Sequence, residues 1–156
     1  MKKLPIKILF LALLITGCGT KSDDFTLSFT MESIDTYRLS IAISQNRTYI
    51  IQQQNLLFDA FAGKEQINTS QRTLNEEEFS ELKSLIAASR LFKMKDSYGF
   101  NKEPDDSDPF SDMIYQINYT ENHKTKNITI RVDSKDLYPE KFLQLIQFLT
   151  SLSKAE

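Results

Sequence analysis

The feature that most constrains the fold is a helix-start signature in the middle of the chain. Asn75 occupies the position of an N-cap residue and Glu78 follows three positions later, which is the arrangement of a capping box. Leu74 and Phe79 have the spacing of a hydrophobic staple, and glutamates in the first turn suit the positive end of the helix dipole. Apolar residues then recur at helical spacing, so the sequence predicts a helix from about 76 to 90.

Several other stretches alternate between apolar and polar residues with a period of two, which is typical of half-buried strands. Turn-like segments at 45–47 and 121–124 join neighbouring stretches into two hairpins, and a further edge strand is predicted near 66–68. The alternating stretches are 25–32, 39–44, 48–53, 113–119 and 127–132.

A second helix is predicted at the end of the chain. Pro139 suits a first helical residue, because its missing N–H has no partner to lose there. An apolar stripe at helical spacing follows, formed by Phe142, Leu145, Ile146, Leu149 and Leu152. The order of elements predicts one α+β domain over 25–156, in which two helices pack on one face of an antiparallel sheet of about 5–6 strands.

The start of the chain has the pattern of a secretory signal peptide. The only cysteine, Cys18, follows eight consecutive apolar residues at 8–15 and the small residues Thr16 and Gly17. Three lysines precede the apolar run, which is shorter than the roughly 20 residues that span a bilayer. These features favour a cleaved signal peptide over a transmembrane helix.

The order Ile15-Thr16-Gly17-Cys18 resembles the bacterial lipobox. In that family the peptide is cut before the cysteine, whose thiol receives a diacylglycerol and whose amine receives an acyl chain such as palmitate. The resemblance implies a signal peptide at 1–17, a lipidated flexible tether at 18–24 and attachment to a membrane of the cell envelope. Gly19 is not the aspartate of inner-membrane retention, so we expect the outer membrane, in either its periplasmic or its exposed leaflet.

The charge balance bears on the class of partner. Removal of residues 1–17 takes three lysines from the 19 basic residues and leaves 16 against 21 acidic residues, a formal charge of about −5. A net negative charge disfavours nucleic acids and anionic lipid head groups as partners.

The order of motifs also resembles a class of small secreted bacterial lipoproteins that are known only as domains of unknown function. A hairpin, the helix start at 74–82, the segment Leu91-Phe92-Lys93-Met94-Lys95-Asp96-Ser97-Tyr98, a second hairpin and a terminal helix carry this resemblance over about 35–150. The class implies the fold and brings no activity.

The sequence contains few residues that could form a catalytic site or a metal site. The one histidine, His123, stands in a predicted turn, whereas a hydrolytic triad needs a base held between an orienting group and a nucleophile. A zinc site needs several cysteine or histidine ligands. No cofactor is expected, and the acidic run at 76–78 is explained by the helix start.

The segment 95–112 is predicted to be a long polar loop, and such loops are often functional. Its carboxylates include Asp105, Asp106 and Asp108, which form a weak candidate Ca²⁺ site. The segment lacks the glycine and the terminal glutamate of an EF-hand loop, so a solvated acidic loop is the alternative.

The same loop carries three aromatic residues, Tyr98, Phe100 and Phe110. Aromatic side chains in a polar loop either pack onto the core or present a binding surface, since aromatic residues are favoured at interface hot spots. With the three aspartates they form the predicted partner-binding loop.

These observations favour a non-catalytic interaction module that is attached to the envelope membrane and binds a protein or an envelope polymer through the loop or a sheet edge. An inhibitor or immunity-type protein, whose acidic loop blocks a basic active site, is one alternative. A carboxylate-dependent envelope hydrolase that uses Asp105, Asp106 and Asp108 is another, and it requires at least two carboxylates to converge in a pocket.

Overall fold

The computed structural model describes residues 24–100, 113–132 and 138–154. Within these ranges the strands are β1 (Phe25–Ser33), β2 (Tyr37–Ser44), β3 (Thr48–Gln54), β4 (Ile67–Thr73), β5 (Ser97–Tyr98), β6 (Met113–Glu121) and β7 (Lys124–Arg131). The helices are α1 (Leu56–Ala62), α2 (Glu76–Ser89) and α3 (Glu140–Leu152). A 3-10 turn, Leu91–Lys93, follows α2.

The strands form a single sheet in the order β4-β3-β2-β1-β6-β7-β5. The predicted α+β class is therefore confirmed, and so are both predicted hairpins, β2–β3 and β6–β7. The sheet has seven described strands, rather than the predicted five to six, and it is mixed because β5 runs parallel to β7. Strand β5 lies inside the segment predicted to be a loop, and α1 is a third helix that the sequence did not predict.

The register of the strands defines two ends of the sheet. Phe25 pairs with Glu121 where β1 begins, and Ser33 pairs with Met113 where β1 ends. We call these the Phe25 end and the Ser33 end. They lie about 26 Å apart, since the nine residues of β1 are separated by eight rises of about 3.3 Å each.

One face of the sheet is covered by α2 and α3, as predicted. Alternate strand residues such as Phe29 and Ile41 are at most 1% exposed, and they share one core with Leu82 of α2 and Phe142 of α3. All buried apolar residues that the structure describes lie between positions 25 and 152, so the segment 19–156 contains the complete described core.

The capping box that the sequence predicts is present. The Asn75 side chain accepts a hydrogen bond from the backbone N–H of Glu78 at 2.9 Å, and the Glu78 carboxylate accepts one from the N–H of Asn75 at 2.8 Å. Pro139 is the N-cap of α3 rather than its first helical residue.

The middle of the other face of the sheet is polar, and charged residues such as Glu32, Arg38 and Arg131 lie toward its Ser33 end. The strand pairing places hydroxyl and amide residues side by side there, for example Ser28 next to Asn118, and Asn118 next to Asn127. Thr30 and Ser40 contact each other through their hydroxyls at 3.3 Å. Water can hydrogen-bond such side chains, so this face needs no helix to cover it.

Candidate interaction surfaces

Helix α1 is a short element at the Ser33 end that carries its own start and stop signals. The side chain of Asn55 accepts a hydrogen bond from the backbone N–H of Phe58 at 2.9 Å, which caps the first turn. Gly63 ends the helix in the left-handed region with φ of 66°, a conformation that glycine adopts without steric cost.

The polarity of α1 is inverted relative to an ordinary surface helix. Its buried residue is an acid, Asp59, which is 7% exposed. The two Asp59 oxygens accept hydrogen bonds from the Gln54 side-chain amide at 2.9 Å and from the backbone N–H of Gln66 at 3.1 Å. Phe58 and Phe61, by contrast, are 54% and 84% exposed. The helix is thus held to the fold by polar contacts and leaves its aromatic rings in solvent.

Neighbouring apolar side chains extend this exposed region. The backbone N–H of Leu57 donates to the carbonyl of Thr36 at 3.3 Å, which places the start of α1 beside the β1–β2 turn. We define the α1 surface as the exposed apolar residues of α1, of that turn and of the start of β4: Ile34, Leu57, Phe58, Phe61 and Ile67.

The predicted partner-binding loop is also connected to the Ser33 end. Phe100 is 40% exposed, and the Arg131 guanidinium lies 5.0 Å from the centre of its ring. Arg131 pairs with Ile114 near the start of β6, so both sides of the segment 101–112 join the sheet at this end. That segment, with Asp105, Asp106, Asp108 and Phe110, lies outside the described residues.

Tyr98 is part of the packed fold and does not lie at the tip of a loop. It belongs to β5, is partly buried and packs against the core. Its hydroxyl accepts a hydrogen bond from the backbone N–H of Lys95 at 3.0 Å, and its ring meets the edge of Tyr138 at a centroid distance of 6.0 Å.

Near the Ser33 end, the pKa values of two tyrosines and one arginine differ from their usual values. Burial raises the pKa of Tyr37 and of Tyr115 above the usual 10.0. The side-chain hydrogen bond to Glu32, at 2.8 Å, raises the pKa of Arg38.

The Phe25 end carries a different feature, an aromatic cleft of about 560 Å³ between α2 and the ends of the central strands β1 and β6. Four rings follow one another along its floor. Phe79 stacks on Phe25 with centroids 6.0 Å apart, Phe25 lies 6.2 Å from Tyr119, and Tyr119 lies 5.5 Å from Phe92. We call this the Phe25 cleft.

The charged residues that line the Phe25 cleft are mainly basic. Lys83, Arg90 and Lys93 line it together with one acid, Glu121. The Lys83 ammonium lies 4.9 Å from the centre of the Phe79 ring. Across residues 24–100, 113–132 and 138–154, none of these three cations forms an ion pair with a carboxylate.

The ends of α2 hold this cleft in place. The backbone N–H of Leu74 donates to the Arg47 carbonyl at 2.9 Å and fixes the entry to α2 beside the β2–β3 turn. At the other end, the buried Ser89 hydroxyl contacts the carbonyls of Leu85 at 2.7 Å and of Lys141 at 3.1 Å. Helix α2 is therefore tied to the sheet at its start and to α3 at its end.

Sequence reasoning did not predict the Phe25 cleft, although one signal was present. Phe79, Lys83 and Ala87 recur every four residues, and Arg90 follows three positions later, so all four share one side of a helix. The rings that complete the floor come from β1 and β6, which are distant from α2 along the chain.

The structure describes the one histidine but not the aspartates of the predicted acidic loop. His123 lies in the β6–β7 turn with φ of 64°, as predicted, and is exposed. Within the described ranges, no three His, Cys, Asp or Glu side chains come together to hold a metal ion. The aspartates of the predicted Ca²⁺ site and of the alternative hydrolase are outside those ranges, so both ideas stay predictions.

Comparisons with known proteins leave the function open. Neither the comparison with protein-family models nor the search of curated protein sequences finds a match for this chain. Among the helices of the described residues, none has the length and apolar character needed to cross a membrane. Cys18 and the predicted signal peptide lie outside those residues.

Proposed function

We propose that this protein is a non-catalytic binding module of the bacterial cell envelope, lipid-anchored through Cys18, which binds a protein partner through the α1 surface. The observation that carries the proposal is the inverted polarity of α1, which buries Asp59 and exposes Leu57, Phe58 and Phe61.

The exposed aromatic rings of α1 could still contribute free energy by being buried, because the fold itself leaves them in solvent. Full burial of a phenylalanine side chain contributes about 1.5–3 kcal/mol, yet Phe61 remains 84% exposed. Contiguous exposed apolar residues are a mark of interaction sites, and buried aromatic residues dominate the binding energy of many interfaces. A partner that covers Phe58 and Phe61 would gain this energy.

The position of the α1 surface suits a module that is tethered to a membrane. The proposed tether, residues 18–24, joins the chain directly before Phe25 and spans at most about 25 Å when extended. The α1 surface lies at the Ser33 end, about 26 Å away along β1. The surface would therefore lie at the end of the sheet opposite the tether, where a partner can reach it.

The acidic loop would enlarge the same surface. Both sides of the segment 101–112 join the sheet at the Ser33 end, where Phe100 is exposed. Its aspartates would add negative charge beside an apolar patch, which suits a partner that presents an apolar pocket with a basic rim. An inhibitor or immunity-type protein would use the same arrangement.

Photo-crosslinking in cells tests this proposal. A photoreactive phenylalanine analogue is introduced at Phe61 and, separately, at Phe110 in the full-length protein. Ser84, an exposed residue of α2, is the matched control position. We expect one dominant protein adduct from Phe61, a weaker yield of the same adduct from Phe110, and none of it from Ser84. Mass spectrometry then identifies the partner.

Two results would contradict the proposal. One is equal adduct patterns from Phe61 and Ser84, which would mean that α1 has no specific partner. The other is an unchanged membrane fraction of the Cys18→Ala protein, which would remove the lipid anchor from the proposal. We expect instead that Cys18→Ala leaves the protein unlipidated and reduces the yield of the Phe61 adduct.

A further inference from the structure

The Phe25 cleft combines two properties that point to a ligand. Its floor is a run of four aromatic rings, and its charged lining has three cations and one acid among the described residues. The whole chain has a formal charge of −2, so this positive surplus runs against the average of the molecule. An apolar floor with a few charged groups is the usual composition of a small-molecule site.

Arg90 is the cation at the end of α2. It ends α2 in the left-handed region, with φ of 50° and ψ of 47°. Glycine is the residue that favours this position, because a Cβ atom is sterically costly there. An arginine is present instead, and this residue is part of the cleft lining.

We propose that the Phe25 cleft binds an anionic amphiphile, which is a molecule with one apolar body and one terminal carboxylate or phosphate. The apolar body lies on the rings of Phe25, Phe79 and Tyr119, and the anion is held by Lys83, Arg90 and Lys93. Charge complementarity selects an anion, since these cations have no carboxylate partner among the described residues.

The size of the cleft limits the ligand. About 560 Å³ lies within the range of 300–1,000 Å³ that is typical of small-molecule sites. That volume accommodates a single acyl chain of moderate length or a two-ring aromatic body. Both have the same chemistry, an apolar body with an anionic end, and the experiment distinguishes them.

Calorimetric titration of the chain 19–156, which contains the complete described core, tests the proposal. The probes are sodium dodecanoate below its micelle concentration and, in a separate titration, 2-naphthoate. Dodecyltrimethylammonium has the same chain with the opposite charge and serves as the ligand control. We expect one site for at least one anionic probe and at least tenfold weaker binding of the cation. Preference for 2-naphthoate would support the site and assign a ring as the apolar body.

Three variants locate the binding. Ala87→Trp fills the cleft from an exposed helical position and should abolish binding, whereas Ala88→Trp, at an exposed neighbouring residue outside the lining, should not. Arg90→Gly removes one cation and should weaken binding roughly two- to fivefold, the size of one solvent-exposed ion pair. Its melting temperature should stay the same or rise, because glycine relieves the left-handed backbone.

Several results would overturn the proposal. One is equal affinity for dodecanoate and for the cationic probe. A second is unchanged binding by the Ala87→Trp protein. A third is binding to phosphatidylglycerol vesicles without binding to either soluble anion. An Arg90→Gly protein that binds as tightly as the original would remove the role of the cation. A charge control, Lys64→Gln, lies outside the cleft lining and should have no effect. The α1 surface shares no residue with the cleft, so either proposal can fail without the other.

Discussion

The two ends of the sheet both carry aromatic residues, but they use them in opposite ways. At the Phe25 end four rings contact one another, and three of them, Phe25, Phe79 and Tyr119, pack in or against the core, whereas Phe92 is 41% exposed. At the Ser33 end Phe61 is 84% exposed, and a buried acid holds its helix in place. Aromatic residues at the first end therefore stabilise the fold, while those of α1 contribute little to it and are free for a partner.

The difference shows how composition alone can mislead. A chain with 11 phenylalanines and no tryptophan could use all of these rings in its core. Among the nine phenylalanines that the structure describes, Phe25, Phe29 and Phe142 are buried in the core, whereas Phe58 and Phe61 of α1 are exposed. Each of the following predictions compares the two ends or tests what holds one of them.

The largest expected effect compares one ring from each end. Phe25→Ala should lower the free energy of unfolding by about 3 kcal/mol or more, because it leaves a cavity beside Phe79 and Tyr119. Phe61→Ala should change it by less than about 0.5 kcal/mol, because the ring is already in solvent. Urea unfolding followed by circular dichroism measures both values. Similar losses for the two variants would break the comparison.

The second prediction concerns the polar contacts that hold α1. Asp59→Ala should cost about 1–3 kcal/mol, because it leaves the Gln54 amide and the Gln66 N–H without their acceptor. Asp59→Asn keeps one acceptor oxygen and should have an intermediate effect. Hydrogen exchange should show faster exchange in α1 than in α2 for the alanine variant. If both variants are as stable as the original, α1 is held by other contacts.

The third prediction tests the entry to α2 at the Phe25 end. Asn75→Ala removes the acceptor for the Glu78 N–H and should lower the free energy of unfolding by about 1 kcal/mol. Asn75→Ser retains an N-cap oxygen and should cost only a fraction of that amount. Thermal unfolding of the two variants side by side provides the measurement. Equal losses would show that the cap oxygen is unimportant here.

The smallest expected effect is a dependence on alkaline pH. Burial raises the pKa of Tyr115 in the folded protein above the usual 10.0, so the folded state keeps the phenol proton longer than the unfolded state does. The contribution is complete below about pH 10 and is lost as the pH rises through the folded-state value. Stability should therefore decline above pH 10, and less steeply in Tyr115→Phe. Identical alkaline profiles for the two proteins would contradict this assignment.

Local signals in the sequence were sufficient for the long elements. The capping box at Asn75, the two hairpins and the apolar stripe of α3 each repeat a short-range pattern, and the structure contains all of them. The two short elements were missed. Strand β5 has only two residues, and α1 has seven with its apolar side exposed. Neither therefore shows the periodic pattern of buried apolar residues by which strands and helices are predicted. The caps at Asn55 and Gly63 were the available signal for α1.

The two candidate surfaces were less accessible to sequence reasoning. Of the aromatic residues in the predicted partner-binding loop, Tyr98 packs onto the core and Phe100 is exposed, while Phe110 lies outside the described residues. The Phe25 cleft could not be predicted as a whole. Its rings come from β1, α2, β6 and the turn after α2, and only the tertiary fold brings these segments together.

The sequence by itself determined the class of fold, the long strands and helices, and the expectation of a lipid anchor at Cys18, because each depends on residues within a few positions of one another. The tertiary structure decided which aromatic rings are buried, which cations line the Phe25 cleft and which acid holds α1. Those properties depend on contacts between residues that are far apart in the chain, and periodicity carries no information about such contacts. A buried Asp59 beside an exposed Phe61 is the clearest case, since hydropathy alone predicts the reverse.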